Sequence, residues 1–365
     1  MKQPPRYPDY ITPRAPAWRR WGWGLLLLWG GQTLLALLLW PEGAPRAALW
    51  GYSAVLPLCW LAALGLRLWV WQVGLLNRAA FRRTVGAARA QWWAWRGASV
   101  PVQEVTLLGP AGAEQGAYRQ LMALARRPSA EGPGQVLRCS PALDPHASRA
   151  AAVAADLARE VLARPGVALH GPRLRGVAWA GEAAGLAAFS AAFAEAGVVL
   201  PALVLDVGGA EGLDLLIDRY HQQSGDDVLL CAGVTTPQPG ASTGEAAFAW
   251  WLAPGATAHL HRSDELAGAA PAAECCAVAE QAAGLKRPPP HCLALGEAAL
   301  GSFAAAGWQA GAHELSRYWG TLGGFAPFVA ASLAVLQAAD GQQACGWLCE
   351  YPEQSIAMGV AVFHE

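Results

Sequence analysis

The chain has 365 residues, 54% of them hydrophobic, and a formal net charge of −1. That near-neutral total hides two oppositely charged parts, because residues 1–96 contain 12 of the 26 Lys and Arg but only 2 of the 27 Asp and Glu. The acidic remainder argues against a nucleic-acid partner, and the eight cysteines are not spaced like a disulfide framework. We therefore predict a basic membrane-side segment joined to an acidic, thiol-containing body.

Two apolar stretches near the N-terminus predict a transmembrane hairpin. Residues 23–40 contain no charged residue, and residues 51–76 contain only Arg67. Each stretch is long enough to cross about 30 Å of hydrocarbon at about 1.5 Å per residue. Indoles and basic residues flank both stretches, as is typical of membrane interfaces. The expected interface residues are Trp21, Trp23, Trp40, Trp50, Arg78, Arg82 and Arg83.

The charges around the hairpin predict its orientation. Five Lys and Arg precede the first span and five follow the second up to residue 96, whereas the loop between the spans has only Arg46. The positive-inside rule then places both termini in the cytoplasm, where a reducing compartment keeps cysteines as thiols. The lipid bilayer is thus the first expected partner of this multi-pass protein.

Composition also predicts the domain boundaries. We expect a basic N-terminus at 1–22, the hairpin at 23–76, a basic Trp-rich helix at 77–97 and an α/β domain at 98–365. The helix at 77–97 has two open interpretations. It either contacts anionic lipid at the membrane surface or continues the second span and packs on the globular domain.

From residue 100 onward, Val- and Leu-rich strands alternate with helices of 10–18 residues, which predicts a parallel or mixed sheet covered on both faces. The pattern is less regular after residue 225, where 256–262 is interpreted as an edge strand. The predicted strands are 100–109, 134–143, 174–181, 199–208, 226–236, 244–255, 256–262, 287–296, 342–352 and 355–364. The predicted helices are 117–127, 148–166, 184–197, 212–225, 272–284 and 317–341.

Three kinds of site lack part of their motif in this sequence. The glycines at 208, 209 and 212 follow a strand, but no Lys follows them, and Glu211 stands where a phosphate would bind. His259 and His261 share a strand face, yet neither the adjacent cysteines 275 and 276, nor 291–292, nor 345–349 completes a zinc pattern. A serine hydrolase is disfavoured because G-x-S-x-G is absent. We expect no metal and no cofactor.

Residues 205–251 resemble the nucleophile region of the β-ketoacyl synthases in the thiolase-like superfamily. In that family a strand ending in D-T-A-C-S leads into a helix, and a G-x-x-D-x-A-L-x-G-G-V strand and a G-E-G/A-A segment follow. The corresponding positions here are Asp206-Val207, Gly225, Asp227, "LLCAGV" (229–234) and "GEAA" (244–247). The resemblance implies an α/β fold, with the two transmembrane helices followed by a thiolase-like layered αβαβα domain with mixed sheets.

The end of the chain is similar to the same family. "YWGTLGGFAPFVAASLAVLQAADG" (318–341) resembles its N-x-G-H-T-x-x-A-x-G turn and the helix after it, and residues 343–362 resemble its two closing strands. The order of these matches along the chain is the order in the family.

The departures from the family pattern fall on its catalytic residues. The nucleophilic Cys, activated at a helix N-terminus, falls at Gly208 or Gly209. The family's second histidine falls at Thr321, and its first has no clear counterpart, His291 being the nearest. A glycine has no side chain to acylate, so the family's condensation chemistry has no route here.

The resemblance therefore implies a non-catalytic scaffold or adaptor at a bacterial inner membrane, paired as a homodimer or as a heterodimer with a thiolase-like relative. Inactive thiolase-like proteins include accessory proteins of type VI secretion clusters, so a secretion-system partner is implied as well. Two alternatives stay open. The protein is an acyl-thioester enzyme using Cys231, or it binds an acyl chain or lipid in the space left by the missing Cys side chain.

Overall fold

The computed structural model describes residues 4–39, 41, 45–110, 112, 115–123, 139, 148–223, 225–237, 244–266, 272–297, 300–351 and 355–364. The chain divides into two compact units, Pro4–Trp92 and Trp93–Glu365. The predicted strand at 134–143 lies outside the described residues except for Cys139, and Trp40 lies outside them too.

The described elements follow the predicted alternation. The helices are α1 (Trp18–Leu39), α2 (Arg46–Arg96), α3 (Gln115–Met122), α4 (Arg149–Leu162), α5 (Gly166–His170), α6 (Ala183–Glu195), α7 (Gly209–His221), α8 (Ala272–Ala282), α9 (Leu300–Ala305), α10 (Ser316–Trp319) and α11 (Ala326–Gly341). The strands are β1 (Ser99–Leu108), β2 (Leu174–Ala180), β3 (Leu203–Asp206), β4 (Val228–Thr235), β5 (Ala246–Leu252), β6 (Ala258–His261), β7 (Asp264–Leu266), β8 (His291–Leu295), β9 (Cys345–Tyr351) and β10 (Ser355–Phe363).

The first unit is built on α1 and α2, which are both long and apolar enough to cross a membrane. Few of their apolar side chains are buried, as expected of helices that face lipid. A third helix of sufficient length and apolarity, Gly323–Gly341, is 67% buried in the second unit and serves there as a core helix. The predicted helix at 77–97 is not separate, because α2 runs without interruption to Arg96.

A glutamine joins α1 to α2 inside this apolar pair. The Gln32 side chain donates a hydrogen bond to the Tyr52 carbonyl (2.5 Å) and accepts one from the Leu56 backbone N–H (3.1 Å). Those two backbone groups are four residues apart, the spacing of a helical hydrogen bond, and Pro57 follows them directly. Gln32 therefore satisfies backbone groups at a proline site while its own amide stays paired.

The second unit contains a sheet with the strand order β3-β2-β4-β5-β1-β6-β10-β9-β8, and β7 pairs with β10. Strand β1 holds the sheet together, since residues 102–108 pair with β5 and residues 99–102 pair with β6. The prediction that 256–262 is an edge strand is wrong, because β6 has β1 on one side and β10 on the other.

The sheet consists of two halves with one topology. In the first half β2 is parallel to β4, β4 is antiparallel to β5, and β5 is antiparallel to β1. In the second half β8, β9, β10 and β6 repeat these relations in the same spatial order. Helix α7 precedes β4 as α11 precedes β9, so the two helices are structural counterparts.

Three hydrophobic clusters reveal five layers. The central cluster contains α7, α11 and one face of both half-sheets. A second cluster packs α4 and α6 on the other face of β2, β4 and β5, and a third packs α8 and α9 on the other face of β8, β9 and β10. Residues along β4 and β5 alternate between the central and outer clusters, as a sheet covered on both faces requires. The predicted αβαβα layering and mixed sheet are confirmed.

The last turn of α2 belongs to the second unit, which begins at Trp93. Arg96 is 1% exposed and forms an ion pair with the Asp264 carboxylate, which is also fully buried. Its guanidinium donates a second hydrogen bond to the Arg262 carbonyl at 2.8 Å. A buried guanidinium stays charged, so this pairing is needed for the helix end to pack on the domain.

We expect Arg96→Met to lower the unfolding free energy by about 3–5 kcal/mol, because it leaves the buried Asp264 without its cation. The measurement is thermal unfolding of the full-length protein in detergent. Arg89→Met on the exposed part of the same helix is the control, with an expected effect within about 0.5 kcal/mol. Equal stabilities of the two variants would contradict the assignment.

Candidate functional site

The turn between β3 and α7 forms the first part of the candidate site. The chain leaves β3 at Asp206, and the buried Val207 donates a backbone hydrogen bond to the Trp179 carbonyl at 2.8 Å. Gly208 has an extended backbone and precedes the first helical residue, Gly209, whose φ is +62°. A side chain is strained in that left-handed conformation, so the glycine at 209 has a conformational reason.

Tyr351 supplies a second reason for glycine at 209. Its hydroxyl lies 1.8 Å from the position that a Cβ on residue 209 would occupy. The same hydroxyl accepts a hydrogen bond from the Ala210 backbone N–H, and burial raises the pKa of Tyr351, so the phenol is neutral at neutral pH. The phenol therefore fills the space that the alternative of an acyl-chain binder would assign to the end of the chain.

Thr321, at the expected second-histidine position, lies in a turn beside a cleft of about 360 Å³. Gly320 has φ +65°, and the Thr321 carbonyl accepts a hydrogen bond from the Gly244 N–H at 3.1 Å. This bond joins the turn to the "GEAA" segment. The lining residues are Leu295, Gly296, Glu297, Ser316, Arg317, Gly320, Thr321, Leu322, Ala326 and Glu350. None of these lining residues is a histidine or a cysteine.

Two adjacent residues at the end of β9 lie at the two positions that the sequence comparison singled out. Glu350 lines the cleft beside Thr321, and the next residue, Tyr351, contacts Gly209. His291 begins β8, whereas the cleft lies beyond the other end of that strand, at Leu295. His291 is therefore placed away from the cleft.

Cys231, the alternative nucleophile, lies in the middle of β4 and is completely buried. It belongs to the central hydrophobic cluster, opposite Trp250 on β5. Burial raises the pKa of the Cys231 thiol, which disfavours the thiolate needed for attack. On α8, burial likewise raises the pKa of Cys275 to about 11 and that of Cys276 to about 12.

The two histidines of β6 do not form part of a metal cluster among the described residues. His259 instead pairs its Nδ1 with the Ser99 hydroxyl at 3.3 Å, and its ring contacts His364 at 4.4 Å. His261 is 6% exposed, and burial together with His364, His259 and Arg96 lowers its pKa to about 3. A neutral imidazole therefore sits beside the buried Arg96.

Sequence reasoning missed Tyr351 and the residues around Arg96. Tyr351 directly follows the charged Glu350 near the end of a predicted strand, where nothing in the pattern marks it as a partner of residue 209. Arg96 stands in a basic helix whose arginines at 67, 78, 82, 83 and 89 are exposed or half-buried. The only signal for Arg96 was its position at the junction between helix and strand.

No protein-family model matches the sequence, and no curated protein matches it. The fold is similar to the ketosynthase from module 1 of the bacillaene synthase of Bacillus amyloliquefaciens FZB42, with a TM-score of 0.51, 10% identity, and 74% of each chain covered.

Two further ketosynthase structures are similar at a TM-score of 0.50. One is the oxazolomycin ketosynthase domain of Streptomyces albus JA3453, with 15% identity over 73% of this chain and 95% of that chain. The other is a type II polyketide synthase ketosynthase in complex with its acyl-carrier protein, with 10% identity over 73% of this chain and 99% of that chain. The fold is therefore thiolase-like, and at these identities the likeness concerns the fold alone.

We expect Gly209→Ala to destabilise the protein by about 1–2 kcal/mol from backbone strain alone, with a further loss from the clash with Tyr351. Adding Tyr351→Ala should remove the clash. The double variant should therefore lose less unfolding free energy than the sum of the losses in the two single variants. Gly208→Ala is the matched control, since a Cβ there meets nothing within 4 Å. Chemical denaturation gives the unfolding free energy of the wild-type protein, of both single variants including Tyr351→Ala, of the double variant and of the control. Strict additivity would show that the two residues do not compete for space.

His261 should make stability fall in acid. Its pKa is about 3 in the folded protein against an ordinary value near 6.5, so the unfolded chain binds more protons between those values. Stability is therefore highest above pH 6.5 and falls with pH down to 3, by at most about 1.4 kcal/mol per pH unit from this group. His261→Leu should flatten the dependence of unfolding free energy on pH in that window. An unchanged slope would contradict the prediction.

Proposed function

We propose that this chain is a membrane-anchored, non-catalytic thiolase-like protein that acts as a scaffold or adaptor. The observation that carries the proposal is the contact between Gly209 and Tyr351. In the family that the sequence resembles, the nucleophilic side chain stands at this helix N-terminus. Here the residue has no side chain, and a phenol occupies the place of one.

The surrounding chemistry supports the same proposal. Acyl transfer to a thiol requires an accessible thiolate with a nearby base or helix N-terminus. Cys231, Cys275 and Cys276 are buried and their pKa values are raised, and the described lining of the cleft offers no imidazole. Neutral, buried thiols of this kind pack as small apolar groups.

The membrane anchor is supported by α1 and α2. Both helices are long and apolar enough to cross a membrane, and their apolar side chains are largely exposed in the absence of lipid. The basic flanks favour an inner-membrane hairpin with both termini cytoplasmic. Trp21, Trp23 and Trp50 then lie at the two interfaces, with Arg78, Arg82 and Arg83 on the cytoplasmic side.

A dimer through β3 is supported by the open edge of that strand. Among the described strands β3 pairs only with β2, so its other edge is available. Leu203 on the strand is 46% exposed, Val199 before it is 88% exposed, and Leu215 on α7 is 50% exposed. Such an apolar edge fits a second copy of this chain or a thiolase-like relative. A secretion-system component is proposed as a further partner from the resemblance.

The catalytic question is tested by intact mass spectrometry of the full-length protein in detergent after incubation with octanoyl thioester. The protein should carry the Cys59→Ser substitution, because Cys59 is exposed and would react without specificity. We expect no acyl adduct. An adduct that disappears in Cys231→Ser would make the protein an acyl-thioester enzyme and would overturn the proposal.

The dimer is tested by light scattering after size-exclusion chromatography in detergent. Leu203→Lys should shift the mass from dimer to monomer, because it places a charge on the apolar edge of the sheet. Leu169→Lys is the control, since Leu169 is also exposed (64%) but lies on α5. A dimer unaffected by Leu203→Lys, or lost equally in both variants, would exclude the β3 edge as the interface.

A further inference from the structure

Arg262 connects the end of α2 to α7. It is 2% exposed and follows β6 directly. Its Nε donates a hydrogen bond to the Trp95 carbonyl at 2.7 Å, and its guanidinium carbon lies 4.3 Å from the centre of the Trp95 ring. A guanidinium stacked on an indole in a buried site is a strong and directional contact. The position of Arg262 is therefore tied to the last turn of α2.

The two Nη atoms of the same guanidinium contact α7. Its Nη1 donates to the Asp214 carbonyl at 3.2 Å, and its Nη2 forms an ion pair with Asp218. The backbone N–H of the next residue, Ser263, donates a hydrogen bond to Asp214 Oδ1 (3.2 Å), and the Ser263 hydroxyl donates one to the Ala210 carbonyl (2.8 Å). The contacted residues 210, 214 and 218 are four apart, so they lie along one face of the helix.

The contact at Ala210 reaches the candidate site. Its carbonyl is held by Ser263, and its N–H is held by the Tyr351 hydroxyl that fills the space at Gly209. A displacement of Arg262 and Ser263 would move Ala210 and thereby change the contact between Tyr351 and Gly209. Trp95 is thus connected to that contact through Arg262, Ser263 and Ala210.

We propose that Trp95 and Arg262 are positioning residues for the N-terminus of α7, so that the last turn of α2 sets the geometry of the Gly209–Tyr351 contact. The end of the helix that leads from the membrane-side unit is thus mechanically linked to the degenerate site. The inference goes beyond the proposed function, since the linkage is independent of whether the site transfers acyl groups.

The test is hydrogen–deuterium exchange of the full-length protein in detergent, comparing the segment 208–216 with the core helix 326–341. Asp218→Asn removes the ion pair of Arg262 while keeping shape, and Asp218 is 38% exposed, so this variant is expected to fold. Trp95→Phe is a second variant that weakens the stacking contact. Both variants should accelerate exchange in the segment 208–216 at least fivefold and leave exchange in 326–341 unchanged.

Asp340→Asn, which breaks the exposed ion pair with Arg119, is the matched control and should change exchange in neither segment.

A second readout follows Tyr351 itself. Fluorotyrosine labelling gives a ¹⁹F signal for Tyr351, identified by its loss in Tyr351→Phe. We expect that signal to shift in Asp218→Asn and Trp95→Phe but not in Asp340→Asn. Equal acceleration of exchange in both segments would indicate general destabilisation and overturn the proposal. An unchanged segment 208–216 with an unchanged Tyr351 signal would also overturn it.

Discussion

The hydroxyl of Tyr351 and a side chain at residue 209 cannot occupy the same space, and the geometry of the candidate site depends on that exclusion. The left-handed backbone of Gly209 and the phenol 1.8 Å from its missing Cβ each favour glycine. Together they make the start of α7 a packed, neutral contact. The Ala210 N–H at the start of α7 donates a hydrogen bond to the Tyr351 hydroxyl.

The contact between Tyr351 and Gly209 joins elements from the two halves of the sheet. Tyr351 reaches it from the end of β9 in the second half of the sheet, and α7 brings it from the first half. Because α7 and α11 lie together in the central layer, the two halves meet at the site. Arg262 and Ser263 then fix α7 from the β6–β7 segment and join it to the end of α2. The buried guanidinium groups of Arg96 and Arg262 are tolerated at this junction because each has a carboxylate and a backbone carbonyl as partners.

Much of the fold was predictable because its signals are local. The helices α1 and α2 and the buried strands β4 and β5 contain long apolar runs, and α4 has the periodicity of an amphipathic helix. The features that were not predicted are the neighbours of one strand and the short helices. Nothing within 256–262 shows that β1 and β10 lie on both sides of it, and the short α5, α9 and α10 have too few residues for a periodic pattern. The third apolar helix shows the same limit, since only burial distinguishes α11 from a membrane span.

The sequence by itself determined the absence of a thiol at Gly208 and Gly209, the absence of histidine at Thr321, the charge division near residue 96 and the order of the longer strands and helices. These are properties of residue identity and local pattern. Only the tertiary structure decided that Cys231 faces the central core, that Tyr351 fills the space at Gly209 and that Arg262 joins Trp95 to α7. Those contacts join residues from 44 to 167 positions apart, and a chain pattern carries no information on which distant side chains meet.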